Sequence, residues 1–294
     1  MACALATVIA WSGFILMSRL ASVAAVSPYD LTAMRFGVAA LLLLPFARRL
    51  GLFSLPPLRG IAFAATAGIG FTLLAFAGLG WAPAGHGSVL MPGTLPLWTA
   101  ILAWIFLAEH PTRFRLGMLA SILAGIGVIL WASLSGQAIP GAWRGDILFL
   151  LAALAWGIFT ILARRWNVDP MLATAAIAIY SALLYLPVYL LFLPKGLWDT
   201  PLDVLLLHGA FQATIPAILT MFLFTRAVAA IGAGTTTMIT AAVPGAVAIS
   251  AWPLLGEVLQ PDVALGAALV TAGMLGTVLD TARSPRRPSA GRGG

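Results

Sequence analysis

The chain alternates long, nearly uninterrupted apolar runs with short polar stretches. Ten runs stand out, at about 4–24, 31–47, 61–80, 85–107, 114–132, 146–163, 172–193, 204–225, 232–255 and 263–280. Roughly 20 apolar residues in helical form cross a bilayer core. The runs are continuous, not ten-residue alternations, which argues against membrane β-strands. The pattern predicts an all-α integral membrane fold of ten transmembrane helices.

The pattern also repeats. The stretch Trp81–Pro111 is apolar but broken by glycine and proline, and it ends at Glu109; the stretch Ala229–Pro261 does the same and ends at Glu257. With Pro96 laid on Pro244, Glu109 falls on Glu257, thirteen residues on in both copies. Ala10-Trp11-Ser12-Gly13 returns as Ala155-Trp156-Gly157. We therefore divide the chain into a first five-helix repeat (1–133), a second (134–282) and a basic tail (283–294) whose Arg, Pro and Gly content predicts disorder. An odd number of spans per half makes the second repeat enter inverted, a 5+5 inverted-topology repeat of the kind many transporters use. Gly117, Gly125 and Gly127 recur as Gly266, Gly273 and Gly276. Small residues of that kind let helices approach closely, so the fifth and tenth spans are expected to be scaffold or dimer surface.

Composition agrees with this picture. The chain is 61% hydrophobic and 9% charged, with mean hydropathy +1.03; a soluble domain carries about 25% charged residues. The net charge of +7 would point to nucleic acid in a soluble chain. Here twelve of the sixteen basic residues fall in the loops and tail on the side of both termini. Arg19, Arg35, Arg144 and Lys195 are left for the other side. That bias places both termini in the cytoplasm. The single cysteine, Cys3, excludes an internal disulfide, a C-x-x-C pair and a cysteine-rich metal site. The first eighteen residues carry no charge, so a basic signal-peptide start is lacking and the first run reads as a retained helix.

Ala10-Trp11-Ser12-Gly13, Ser27-Pro28 leading to Met34-Arg35-Phe36, and Pro96 with Leu107-Ala108-Glu109 resemble the EamA type of the drug/metabolite transporter superfamily. Trp156-Gly157 and Pro244 with Leu255-Gly256-Glu257 fit the same pattern in the second half. The chain looks most like the YddG-type amino-acid exporters of that superfamily. The resemblance implies ten helices, export of amino acids or related metabolites, and a bacterial-type cytoplasmic (inner) membrane. One departure is Leu-Ala-Glu in the first copy, where the family usually has Leu-Gly-Glu.

Several residues are candidates for a substrate site. His86 is an ionisable group in a span, costly there and able to change charge near pH 6.5; it either faces a cavity or binds a loop carbonyl at the outer interface. Ser88 and Met91 on the fourth span have repeat equivalents Thr236 and Ile239 on the ninth, beside Thr240. Hydroxyls and carbonyls freed by proline could hold an ammonium group, or the hydroxyls could bond back to their own helices. Trp11 and Trp156, well inside their spans, could wall a path or simply pack. Gln212 points into the bundle to bind or to brace, and Tyr180, the equivalent of Arg35, could line the pathway. Pro96 and Pro244 are the expected hinges, because each ring removes a backbone hydrogen bond. Glu109 and Glu257 are read as ties from helix ends to neighbouring donors. Arg35 and Arg226 are read as span-end residues explained by snorkelling and the positive-inside bias.

No Asp or Glu is expected in the middle of a span, with Asp146, Asp262 and Asp280 all at ends. That favours facilitated export, or coupling through His86, over a proton-driven multidrug or cation antiporter with a buried carboxylate. A membrane-embedded lipid-modifying enzyme would need an acid/base or nucleophile constellation, and none is visible. No catalytic residue, cofactor or metal site is expected. The expected partners are a small-molecule substrate and the lipid bilayer, with no nucleic acid.

Overall fold

A computed structural model describes residues 1–135 and 139–283. The tail beyond them, where disorder is expected, lies outside the described residues.

Ten helices are long and apolar enough to cross a membrane: Ala2–Val23, Pro28–Phe46, Pro57–Trp81, Ala84–Phe106, Arg113–Leu134, Ala142–Trp166, Pro170–Phe192, Leu202–Ile231, Gly234–Leu255 and Pro261–Asp280. They follow the ten apolar runs, and no strand occurs among the described residues. Their starts obey local rules. Pro28, Pro57 and Pro170 sit in first turns, where a missing N–H costs nothing. The Ser27, Thr112 and Asp169 side chains accept hydrogen bonds from the exposed N–H groups of the helices that follow.

Four spans are interrupted part-way along, in matching positions of the two halves. The third contains a π-helical turn at Ala64–Gly68 and the eighth another at Ile215–Leu219. The fourth is broken at Thr94, between Ala84–Gly93 and Leu95–Leu107, and the ninth between Ala233–Thr240 and Val243–Leu255. Pro96 and Pro244 occupy the first turn of the second segment in each case, so each break falls just ahead of the proline. Such interruptions are tolerated in a membrane only where backbone is buried in protein or faces a cavity.

Packing is symmetric under exchange of the halves. The first span lies against the eighth and ninth, and its equivalent, the sixth, against the third and fourth. The second pairs with the seventh and the fifth with the tenth. A Cβ on Gly125 would stand 2.7 Å from the Gly266 carbonyl, so the fifth and tenth spans approach as closely as glycine allows. Outside, Leu191, Phe192, Ile249 and Trp252 are among many large apolar side chains left exposed, as lipid contact requires.

Even numbers of spans bring the start of the first and the end of the tenth to one membrane face, here called the tail face; the other is the far face. The sequence reading placed Arg35 at a span end, and the structure corrects this. The second span begins at Pro28, so Arg35 is its eighth residue and is 7% exposed. The carboxylates do stay near span ends, but two of them are not at the surface: Asp30 and Asp146, the third and fifth residues of their helices, are fully buried.

Candidate functional site

A cavity of about 530 Å³ lies between the two halves. Trp11, Arg35, Ala67 and Pro92 line it from the middle of their spans. Thr160, Thr174, Phe224, Gly234 and Thr277 line it near the tail-face ends of theirs. It therefore runs from mid-bilayer toward the tail face. A volume in the hundreds of cubic ångströms is the usual size for a small-molecule site.

Its walls are aromatic and hydroxylic. Trp11 stacks on Phe224 with ring centroids 5.7 Å apart, and Trp156 meets Phe159 edge-on at 5.6 Å; all four line the cavity. Thr99, Thr160, Thr174 and Thr220 add hydroxyls that donate to carbonyls of their own helices while lining the wall. Thr237, Thr240 and Thr277 line it as well. The charged residues lining the cavity are Arg35 and Arg115, and among the described residues no carboxylate lines it.

The far face is closed by polar ties between the halves. Arg19 Nε donates to Glu257 Oε1 at 2.6 Å, and Arg19 Nη1 donates to the Leu79 carbonyl at 2.6 Å. Glu257 Oε2 accepts from the Ala84 N–H at 2.8 Å, at the start of the fourth span. His86 Nδ1 lies 2.7 Å from Asp146 Oδ1, whose other oxygen accepts from the Ser133 hydroxyl at 2.5 Å. Asp30 accepts from the Tyr189 hydroxyl at 2.6 Å, the Ser27 hydroxyl at 2.7 Å and the Gly196 N–H at 3.1 Å. Arg144 lies 4.7 Å over the Trp81 ring. Buried charges persist only when paired and hydrogen-bonded, and these groups satisfy one another across helix ends.

The candidates from the sequence divide accordingly. Trp11, Trp156, Thr240 and Pro96 line the cavity. Gln212 stands behind the wall, where Oε1 accepts from Arg35 and Nε2 donates to the Ser18 hydroxyl at 2.8 Å. Ser88, Met91 and Thr236 lie buried outside the lining, where Ser88 donates to the Gly85 carbonyl and Thr236 to the Gly232 carbonyl. Their chain neighbours Pro92 and Thr237 line the cavity instead. Tyr180 packs into the apolar cluster around Phe63 and Ile179, and Pro244 is buried beyond the cavity wall. His86 is held by Asp146 and borders a crevice of about 30 Å³ beside Glu257. His86 and Asp146 are 60 residues apart in the chain and meet only in the fold.

Arg35 is the residue the sequence reading missed, although the signal was present. Ser27-Pro28-Tyr29-Asp30 is a capping sequence, and Ser27 does accept from the Asp30 N–H at 3.1 Å. Starting the helix there puts the arginine two turns deep.

Glu109 and Glu257 do tie helix ends to basic partners, Arg164 at 3.0 Å and Arg19 at 2.6 Å respectively. No three His, Cys, Asp or Glu residues gather as a metal site among the described residues.

Comparison with known proteins accounts for the doubling. The model of the EamA-like transporter family matches residues 1–131 and again residues 143–279. An uncharacterized transporter of Bacillus subtilis (strain 168), YetK, is 23% identical over 214 residues. That match takes in 70% of this chain but 63% of the relative, so the chain spans less than two thirds of its length. A solved crystal structure, 19% identical, superimposes with a TM-score of 0.61 over 96% of each chain, which shows a shared fold. Ten apolar helices make the chain an integral membrane protein, and with the family model matched across both halves it belongs to the EamA-like transporter family.

Proposed function

We propose that the protein exports amino acids or related small metabolites across a bacterial-type cytoplasmic membrane by alternating access, with the two repeats inverted relative to each other. The observation that carries this reading is the cavity that reaches the tail face while inter-half ties close the far face. With the positive-inside bias, the tail face is cytoplasmic and the cavity is in its loading state. The breaks at Thr94 and at Ala241–Ala242, each just ahead of Pro96 or Pro244, supply the bending points. Trp11, Trp156 and Thr240 contact substrate, with Gln212 bracing the wall.

The test is uptake by proteoliposomes of small, aromatic and charged amino acids, a polyamine, a sugar and a lipophilic cation, with and without a pH gradient. Amino-acid flux that needs no gradient is expected. Pro96→Ala or Pro244→Ala should slow it while leaving folding intact. A proton-coupled cation or multidrug efflux protein is the second reading, favoured only by the buried His86–Asp146 pair as a proton site. That pair lies off the cavity, so proton and drug would not compete for one group. Gradient-dependent flux of the lipophilic cation alone would overturn the metabolite reading in its favour.

A further inference from the structure

Arg35 is an arginine without an acid. Its side chain is buried in the middle of the second span and lines the cavity. The three ion pairs among the described residues all lie elsewhere. Among the described residues its one hydrogen bond runs from Nη1 to Gln212 Oε1 at 3.4 Å, which is long for an N–H donor, and Nε is buried without a partner there. The carboxylate on its own helix, Asp30, is already committed to Ser27, Tyr189 and Gly196.

The rest of the surroundings hold the guanidinium in place without neutralising it. Gln212 is oriented by its Nε2 bond to Ser18, and the Ser18 hydroxyl in turn donates to the Phe14 carbonyl at 2.5 Å. That chain points the amide oxygen, and not its N–H, at the arginine. The guanidinium carbon lies 5.3 Å from the Phe14 ring centroid and 5.9 Å from that of Phe36, contacts that favour a cation but leave its N–H groups unused. A buried charge with unfilled donors is expensive in a bilayer and usually marks a substrate path. The planar guanidinium fork matches a carboxylate's two oxygens.

We infer that Arg35 is the substrate's anion receptor: the cavity takes a solute bearing a free carboxylate and binds it through the Arg35 guanidinium, positioned by Gln212 and Ser18. This rests on the transporter reading and narrows it, since the ammonium of an amino acid becomes dispensable and the carboxylate does not. Arg115, in the first turn of the fifth span, also lines the cavity, so the route from the tail face carries positive charge at both levels and disfavours cations.

The experiment titrates purified protein with phenylalanine, 3-phenylpropionate, which lacks the ammonium, and phenylalaninamide, which lacks the carboxylate, by calorimetry and thermal unfolding. Both carboxylates should bind at least about tenfold more tightly than the amide. Arg35→Gln should abolish that preference, and Arg35→Lys should keep part of it. The wild-type comparison needs no substitution, so misfolding of a variant cannot mask the answer. Equal or tighter binding of the amide, or no binding of any of the three, would overturn the assignment. Flux of other solutes in proteoliposomes would then leave the transport reading standing, whereas absence of all flux would remove that reading instead.

Discussion

The two faces of the molecule carry the same ion pair in different states. Arg19 and Arg164 end equivalent spans, the first and sixth, and Glu257 and Glu109 end the ninth and fourth. Each pair joins an arginine of one half to a glutamate of the other. At the far face the pair is 2.6 Å long, with side chains 14% and 16% exposed, and it also holds the Leu79 carbonyl and the Ala84 N–H. At the tail face it is 3.0 Å long, 55% and 51% exposed, and each side chain has only the other as hydrogen-bond partner among the described residues. Identical chemistry thus latches one face and merely decorates the other. What differs is the surroundings: helix ends converge on the far-face pair, while the cavity reaches the end of the molecule where the tail-face pair lies.

The comparison can be broken hardest at the buried far-face network. Asp146→Ala leaves the His86 ring and the Ser133 hydroxyl buried without their acceptor, and a loss of roughly 2–6 kcal/mol of stability is expected. Thermal unfolding would register it, while ligand affinity per folded molecule should hold, because neither residue lines the cavity. Next comes the latch itself. Glu257→Gln should weaken far-face closure by about 1.5–3 kcal/mol, and Glu109→Gln should change tail-face behaviour by less than about 1 kcal/mol. Equal effects of the two substitutions on transport rate would erase the distinction drawn between the faces.

Two further changes sharpen the contrast without removing a member of either ion pair. Gly273 lets the tenth span meet the fifth, and a Cβ there would stand 2.6 Å from the Met118 carbonyl. Gly273→Val should cost about 1–3 kcal/mol in unfolding without altering which face is open. The smallest effect concerns Ala108, which ends the fourth span at φ +53°, where its counterpart Gly256 adopts φ +68°. A left-handed conformation penalises a Cβ by roughly 1–2 kcal/mol, so Ala108→Gly should raise stability by up to about 1 kcal/mol, measured as a higher unfolding midpoint.

The ten spans were legible because lipid demands long apolar helices, and the doubling was legible because Trp11, Pro96 and Glu109 each have a counterpart at nearly constant offset. Trp11, Trp156 and Thr240 were legible as cavity-lining residues from their repeat positions, depth in their spans and side-chain chemistry. Ser88, Met91 and Thr236 lie outside the lining. A helix apolar all round gives no sign of which face meets a cavity, and here the neighbouring Pro92 and Thr237 turned toward it. The His86–Asp146 contact has no local signature, since sixty residues and four helix ends separate its members. Arg35 was missed for a simpler reason: a hydropathy run trimmed the helix start past its capping residues, and a mid-membrane cation was taken for an interfacial one.

The most direct measurement of the central claim is the accessibility of a single cysteine at Thr240, in a Cys3→Ser background, to a membrane-impermeant thiol reagent added to either face of sealed vesicles. The two-face account predicts fast labelling from the tail face, slow labelling from the far face, and a shift toward far-face labelling when Glu257→Gln is added. Equal labelling from both faces, or faster labelling from the far face in the unaltered latch, would contradict it.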